Sequence, residues 1–262
     1  GVEENPEISV VEEKEGLLVT TEASVRLESE ITFDALNVKF ITYILNNAYR
    51  IGVDLLRVHY SDPKIQDYIQ KRMNLYLGWQ IIKKEEGLIV IDNLTEPSSD
   101  RFDTLFRKIF YIIKEDLTLL ASEKLTKDIV ENHGDEVVMI DNFCRRALAK
   151  KKVEKDKVFI YWHFNSMITW IHRSIFYLGQ EKEKLNSQNK KFLDEIIEIF
   201  DNLHNGFFEK DLKKIAFVLE KSKNILHNRK MYAKNQAYLT TYLFEIVRLI
   251  NLSCSPGIGI LI

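Results

Sequence analysis

Cysteine is almost missing from this 262-residue sequence: Cys144 and Cys254 lie far apart and form no C-x-x-C. That excludes a disulfide framework. Cys144 falls in an apolar-periodic stretch and reads as a buried, reduced thiol, which fits a reducing cytoplasm. An excess of either charge is also missing. Lys and Arg number 37 against 39 Asp and Glu, so the chain as a whole has no pull toward nucleic acid or an anionic membrane. No uninterrupted apolar run approaches the roughly eighteen residues of a membrane span. The acidic start Gly1-Val2-Glu3-Glu4-Asn5 has no signal-peptide pattern. These features predict a cytoplasmic protein with no membrane insertion. The initiator Met is absent as well, so the chain is expected to start partway into a longer protein.

The usual catalytic signatures are missing too. The sequence holds no G-x-S-x-G, no H-E-x-x-H and no G-x-x-x-x-G-K-[ST]. Gly257-Ile258-Gly259 sits too near the C-terminus for the helix that a dinucleotide fingerprint requires. The expectation is a protein that is not an enzyme, with no catalytic residue, no cofactor and no metal site assigned.

What is present is a globular composition, 45% apolar and 29% charged, in a chain long enough for two or three modest domains. Residues 7–12 and 16–21 read as two short strands of a hairpin, which two strands alone cannot stabilise. Residues 25–28 could form a strand. A helix over 34–51 comes next, with Leu36, Phe40, Tyr43, Ile44 and Ala48 as its apolar stripe and Gly52 as its stop. Residues 54–60 form a strand, and Asp62-Pro63 starts a second helix with Ile65, Ile69, Met73 and Leu77 on its apolar face. Gly78 ends it, and strands at 79–83 and 88–92 complete a β-α-β-α-β-β order.

Pro97-Ser98-Ser99 breaks the chain, its serines placed to cap the next helix. Helices are then predicted over 102–120, 125–149 and 155–178, and, after a polar linker at 180–188, over 189–203, 210–226 and 231–252. Short connections make neighbours antiparallel, so this is a three-helix unit used twice. The predicted fold is mainly α. A partial β-hairpin occupies residues 1–23 and a small α+β domain residues 24–96. Two tandem three-helix bundles occupy 97–180 and 181–262. The apolar tail Pro256 to Ile262 either adds as a strand to a neighbour or packs back on the last helix.

Few residues suggest chemistry. His163 and His172 share a helix but fall on opposite faces, so they read as core or surface histidines. Glu131 and Asp135, four apart, share a face that suits two oxygen ligands on one cation, while His133 points elsewhere. The plainer view is a solvated helix end beside Gly134. The basic run Arg145, Arg146, Lys150, Lys151, Lys152, Lys155 and Lys157 could touch phosphates, but Glu154 and Asp156 interrupt it, and it reads as a solvated loop.

The segment from Tyr43 to Tyr60 contains Ala48-Tyr49-Arg50-Ile51-Gly52-Val53-Asp54. With Leu77-Gly78-Trp79-Gln80-Ile81-Ile82, residues 103–114 and the apolar spacing of 161–178, it resembles the PhoU family of phosphate-uptake regulators. The likeness is to archaeal members that place an α+β segment before the bundles, and it covers about residues 25–250. The stretches Ile8-Ser9-Val10-Val11-Glu12 and Gly16-Leu17-Leu18-Val19 are similar to the tail half of an AbrB-type swapped-hairpin DNA-binding domain. In that family dimerisation completes the domain, and its basic DNA-gripping half lies upstream, outside this chain.

The PhoU resemblance implies a metal cluster held by an acid and an Asp four residues later, on the second and third helices of each repeat. Here the first-repeat positions are Gly134 with Val138 and Thr169 with Arg173. The second-repeat positions are Glu220 with Asn224 and Glu245 with Leu249. Only Glu220 and Glu245 are acids, and Arg173 would repel a cation. In a shifted register Glu131 and Asp135 become the first pair. The resemblance thus implies a homodimeric regulator of phosphate uptake or homeostasis, acting by contact with a partner such as a phosphate-transporter ATPase. A dimeric AbrB-type transcription regulator, with the bundles as sensor or dimerisation body, is the alternative. A metal-dependent hydrolase built on Glu131, Asp135 and Glu220 is a third.

Overall fold

A computed structural model describes residues 9–13, 16–20, 26–96, 98–150, 155–180, 184–229 and 237–262. Strands β1 (Ser9–Glu13) and β2 (Gly16–Thr20) pair antiparallel, from Ser9 opposite Thr20 to Glu13 opposite Gly16. This is the expected hairpin. Among the described residues it forms a sheet of its own.

The α+β unit has the expected element order. Strands β3 (Glu28–Phe33), β4 (Leu55–Tyr60), β5 (Trp79–Glu85) and β6 (Leu88–Asn93) lie side by side as β3-β4-β6-β5. β3 runs parallel to β4, and β6 is antiparallel to both its neighbours. Val25 lies outside the described residues, and the first strand falls later than expected. The alternation that makes a half-buried strand begins at Glu28, with Ser29, Ile31 and Phe33 turned inward.

Helix α1 (Val38–Arg50) starts where the Asn37 side chain accepts the Phe40 N–H at 3.1 Å, later than residue 34. Its fully buried apolar residues are Ile41, Leu45 and Tyr49; of the predicted stripe, Ile44 and Ala48 are half-buried against the same cluster. Phe40 is 53% exposed, and Tyr43 also faces outward. Apolar residues cover more than one arc of this helix, so periodicity alone does not select the arc that meets the sheet. Packing against Leu56, Val58 and Ile91 of the sheet makes the choice. Helix α2 (Pro63–Arg72) begins as expected. Asp62 accepts the Lys64 N–H at 2.9 Å, and Pro63 stands at the first helical position. A 3-10 turn at Met73–Leu75 and Gly78 end it. Gly78 has φ +88°, and a Cβ there would lie 2.0 Å from the Thr95 carbonyl oxygen, so this corner admits only glycine. Trp79 then enters the core beside Tyr49 and Tyr76, with centroids 5.2 and 5.4 Å away.

Two clusters of three helices complete the chain: α3 (Phe102–Ala121), α4 (Lys127–Ala149) and α5 (Val158–Gln180), then α6 (Ser187–Phe208), α7 (Leu212–His227) and α8 (Ala237–Leu261). Their buried faces merge into one apolar cluster. Aromatic rings make the join: Phe164 of α5 stands 4.5 Å from Phe207 of α6, and Phe110 of α3 stacks on Phe200 at 5.7 Å. Cys144 and Cys254 are free and buried within it, and burial pushes both thiols up, Cys254 to about 12.

The C-terminal tail corrects two expectations. Residues 231–236 of the predicted last helix lie outside the described residues, and α8 runs on past Leu252 to Leu261 with Pro256 inside it. Instead of adding as a strand or folding back, the tail extends the helix along α5. Two glycines permit the close approach: a Cβ at Gly257 would meet Phe164 at 3.3 Å, and one at Gly259 would meet Ile160 at 3.3 Å. Lys157 Nζ donates to the Ile260 carbonyl at 2.8 Å and so satisfies one of the acceptors left at the helix end. By length and composition α8 alone among the described helices could cross a membrane, and 56% of its most apolar window is buried inside the fold.

Gly257→Val should force α8 off α5 and lower stability by about 1–3 kcal/mol, as over-packing does. Thermal unfolding would read this as a drop of roughly 2–4 °C per kcal/mol. An unchanged Tm would show that the end of α8 does not pack on α5.

Candidate functional site

Helix α4 carries an unusual buried face. Asp141, Asn142, Arg145 and Arg146 fall on adjacent turns and are all buried. Ionised groups are buried only when paired, and Asp141, Asn142 and Arg146 find partners across the junction with the α+β unit, while Arg145 is held by Asp141 and by Ser166 of α5. Arg146 is 1% exposed. Its Nη1 donates to the carbonyls of Val53 (2.8 Å) and Tyr49 (3.2 Å). Its Nη2 donates to Asp54 (2.7 Å) and Glu96 (2.9 Å), and its Nε to Glu96 (3.0 Å). The guanidinium lies 5.0 Å from the Tyr49 ring. Lys150 Nζ adds bonds to both Asp54 oxygens at 2.9 and 2.7 Å. Arg146 and Lys150, expected to belong to a solvated basic run, therefore form a clamp. Residues 151–154 lie outside the described residues. The acids that draw Arg146 and Lys150 in, Asp54 and Glu96, are about fifty or more residues away in sequence, which is why the run looked solvated. Burial raises the Asp54 pKa, but the bonds from Lys150 and the Leu27 N–H, with the charges of Lys150 and Arg146, outweigh it and leave the carboxyl below its ordinary value.

Beside this clamp a cavity of about 570 Å³ opens between α1, α4 and α5. Four guanidinium groups line it: Arg50, Arg72, Arg145 and Arg173. Arg50 meets Asp141 at 2.5 Å and donates to Asn142 at 2.8 Å. Arg145 donates to the same Asp141 at 2.7 Å, as does Asn165. Asp141 thus holds one guanidinium from α1 and another from its own helix. Burial lowers the Arg50 pKa, and Asp141 opposes the shift. Arg72 pairs with Asp135 at 3.0 Å. Arg173 donates to the Tyr177 hydroxyl at 3.3 Å, which raises its pKa. Tyr43, Trp170, Phe176 and Tyr177 supply apolar surface.

The positions singled out in sequence converge on this cavity to an uneven degree. Gly134, Val138, Thr169 and Arg173 all line it, and so do Glu131 and Asp135 of the shifted register. The latter two are exposed near the start of α4, in keeping with the plainer view; Asp135 answers Arg72, and Glu131 lies 3.7 Å from Lys127. His133 points away, as expected, with Nδ1 2.6 Å from the buried Asp116 of α3. His172, on the far side of Asp116, lies 3.2 Å from its other oxygen, while His163 is exposed. The second-repeat positions separate. Glu245 and Leu249 line an adjoining cleft with Tyr43, Trp170 and Arg173. Glu245 is bound by Arg248 at 2.7 Å, and that bond lowers its pKa. Glu220 lies in another cleft between α7 and α8, beside Lys223 and Asn251, and Asn224 is exposed. Glu220 therefore does not join Glu131 and Asp135, which removes the geometry that the hydrolase reading required. Among the described residues no three His, Cys, Asp or Glu side chains converge as a metal ion would need.

Sequence reasoning missed Asn46, Arg50, Arg72, Asp141 and Trp170 as residues of one site, and placed Arg145 in a solvated loop. A signal was present: Asn46 with Arg50, Asp141 with Arg145, and Thr169 with Arg173 and Tyr177 each recur at i,i+4 on otherwise apolar helices. Tracking only the apolar stripe hides such polar stripes. Compared with known proteins, the chain matches no protein-family model, no curated protein and no solved structure.

Arg146→Met keeps most of the volume but leaves Asp54, Glu96 and two carbonyls without their partner. It should cost about 3–5 kcal/mol, the loss seen when one member of a buried pair is removed, measured by urea unfolding. A change below 1 kcal/mol would contradict the clamp. A pH dependence arises from the same cluster. The Asp54 carboxyl is depressed in the folded state, so its contribution is complete above the ordinary Asp value, roughly pH 4. It is lost as pH falls through the lower folded-state value. Asp54→Asn should flatten stability against pH in that acidic window, and an unaltered slope would exclude Asp54 as its source.

Proposed function

We propose that this chain regulates phosphate uptake by docking on another protein, as a cytoplasmic homodimer whose helices serve as the docking body. The ATPase of a phosphate transporter is the partner we favour. The sequence resemblance to PhoU regulators supports this reading. The structural observation that carries it is the junction itself. Arg146 clamps the α+β unit onto α4, while the first turn of α1 on the same unit leaves Val38 and Phe40 exposed. A partner seated around that turn would act directly on the element clamped to the bundles. Exposed apolar side chains grouped on one helix are what a docking surface offers.

Purified chain and the phosphate-transporter ATPase from the same organism should form a saturable complex by biolayer interferometry. The double change Val38→Ser and Phe40→Ser should weaken it about tenfold or more, because buried apolar anchors dominate such interfaces. No binding at tens of micromolar, about the affinity below which such contacts are weak, would reject the reading.

The hairpin favours a second reading, a dimeric DNA-binding regulator. β1 and β2 form a separate two-stranded sheet, which needs a partner to be stable. The protein expressed from its intact gene should then bind duplex DNA, with affinity that falls steeply as salt rises. Absence of salt-sensitive DNA binding would dismiss this second reading and leave the first untouched.

A further inference from the structure

We infer that the cavity between α1, α4 and α5 binds a phosphate-bearing ligand of nucleotide size, with Arg72 and Arg173 gripping the phosphates and Trp170 and Tyr43 covering the flat ring. This goes beyond the docking reading and does not depend on which protein the helices engage.

The four guanidinium groups are not equivalent. Arg50 and Arg145 are committed to Asp141, with further bonds to Asn142 and Ser166. They hold the wall in place. Arg72 and Arg173 keep free capacity. Arg72 gives Nη1 to Asp135, but its Nε is buried and makes no hydrogen bond. The other terminal nitrogen, Nη2, is left to meet a ligand oxygen. Arg173 forms no ion pair among the described residues; its neighbours are two neutral hydroxyls, that of Tyr177, 3.3 Å away, and that of Tyr43. Two planar forks with donors to give, on walls of one cavity, suit phosphate oxygens better than any cation.

Size and lining narrow the ligand further. A cavity of about 570 Å³ lies in the range of small-molecule sites and exceeds what one inorganic phosphate would fill. Trp170 stands three residues before Arg173 on α5, so both project from the same face. Trp170 and Tyr43 are each about half exposed, unlike the buried rings of the core, and both line this cavity and its adjoining cleft. A flat ring bonded to a phosphate chain would place its ring on these side chains and its charge on the guanidinium groups. Such a ligand would touch α1 of the α+β unit and α5 of the bundles together, and so brace the junction that Arg146 clamps.

The test uses the whole protein with ADP as the probe nucleotide, read by isothermal titration and by quenching of tryptophan fluorescence. ADP should bind saturably, and adenosine or inorganic phosphate alone should bind at least about tenfold more weakly. Arg173→Gln and Arg72→Gln should each weaken ADP binding about tenfold, with unchanged circular dichroism and Tm. Asp135→Asn removes the acid that competes for Arg72, so ADP should bind severalfold more tightly to that variant. Trp170→Leu should remove the fluorescence change. The inference is overturned if ADP shows no saturable binding below about 1 mM, or if both arginine variants bind as the parent does. Inorganic phosphate binding as tightly as ADP would overturn the nucleotide assignment. Binding of Mn²⁺ that is lost in Asp135→Asn would overturn the anion assignment in favour of a metal.

Discussion

One buried guanidinium joins the two halves of this protein. Arg146 leaves α4 and reaches the end of α1, the start of β4 and the segment after β6 in a single fork, through the carbonyls of Tyr49 and Val53 and the carboxylates of Asp54 and Glu96. Arginine suits this task because its donors lie in a fixed plane and its charge cannot be removed by burial. The position of the α+β unit on the bundles depends on these bonds. So does the cavity beside them, because the same stretch of α4 supplies Asp141 and Arg145 to its wall.

The polar face of α4 contrasts with its surroundings. Across the remaining helices the core is mainly aromatic and aliphatic, with Asp116 and the two histidines beside it as a buried polar exception, and rings from α3, α5 and α6 meet at the join. Apolar packing is tolerant of small shifts, whereas an ion pair that satisfies every donor accepts one geometry. The bundles thus supply bulk stability, and the α4 face sets orientation. The cavity lies where those two kinds of contact meet, with charged groups already positioned by bonds among themselves.

Four positions singled out in the sequence, Gly134, Val138, Thr169 and Arg173, lie on the wall of this cavity although they stand on two different helices. Neutral and cationic side chains at these places offer a cation no carboxylate ligand.

Local rules in the sequence determined much of the fold. Asp62-Pro63 announced a helix start because its N-cap and fixed φ act within a few residues. Gly78 marked a corner, and the 3.6 period of Phe102 to Leu120 drew α3 closely. Those signals are short-range, so no partner is needed to read them. Tertiary structure alone decided which arc of α1 is buried, since Ile41 and Phe40 are equally apolar in sequence and only the sheet distinguishes them. It likewise carried α8 through Pro256, because two glycines opposite Phe164 and Ile160 let the helix stay packed where local preference would end it. Above all it turned Arg146 and Lys150 from members of a basic run into a clamp. Their sign is written locally, but the acids that answer Arg146 and Lys150 stand far away in the chain, and only folding brings them within bonding distance.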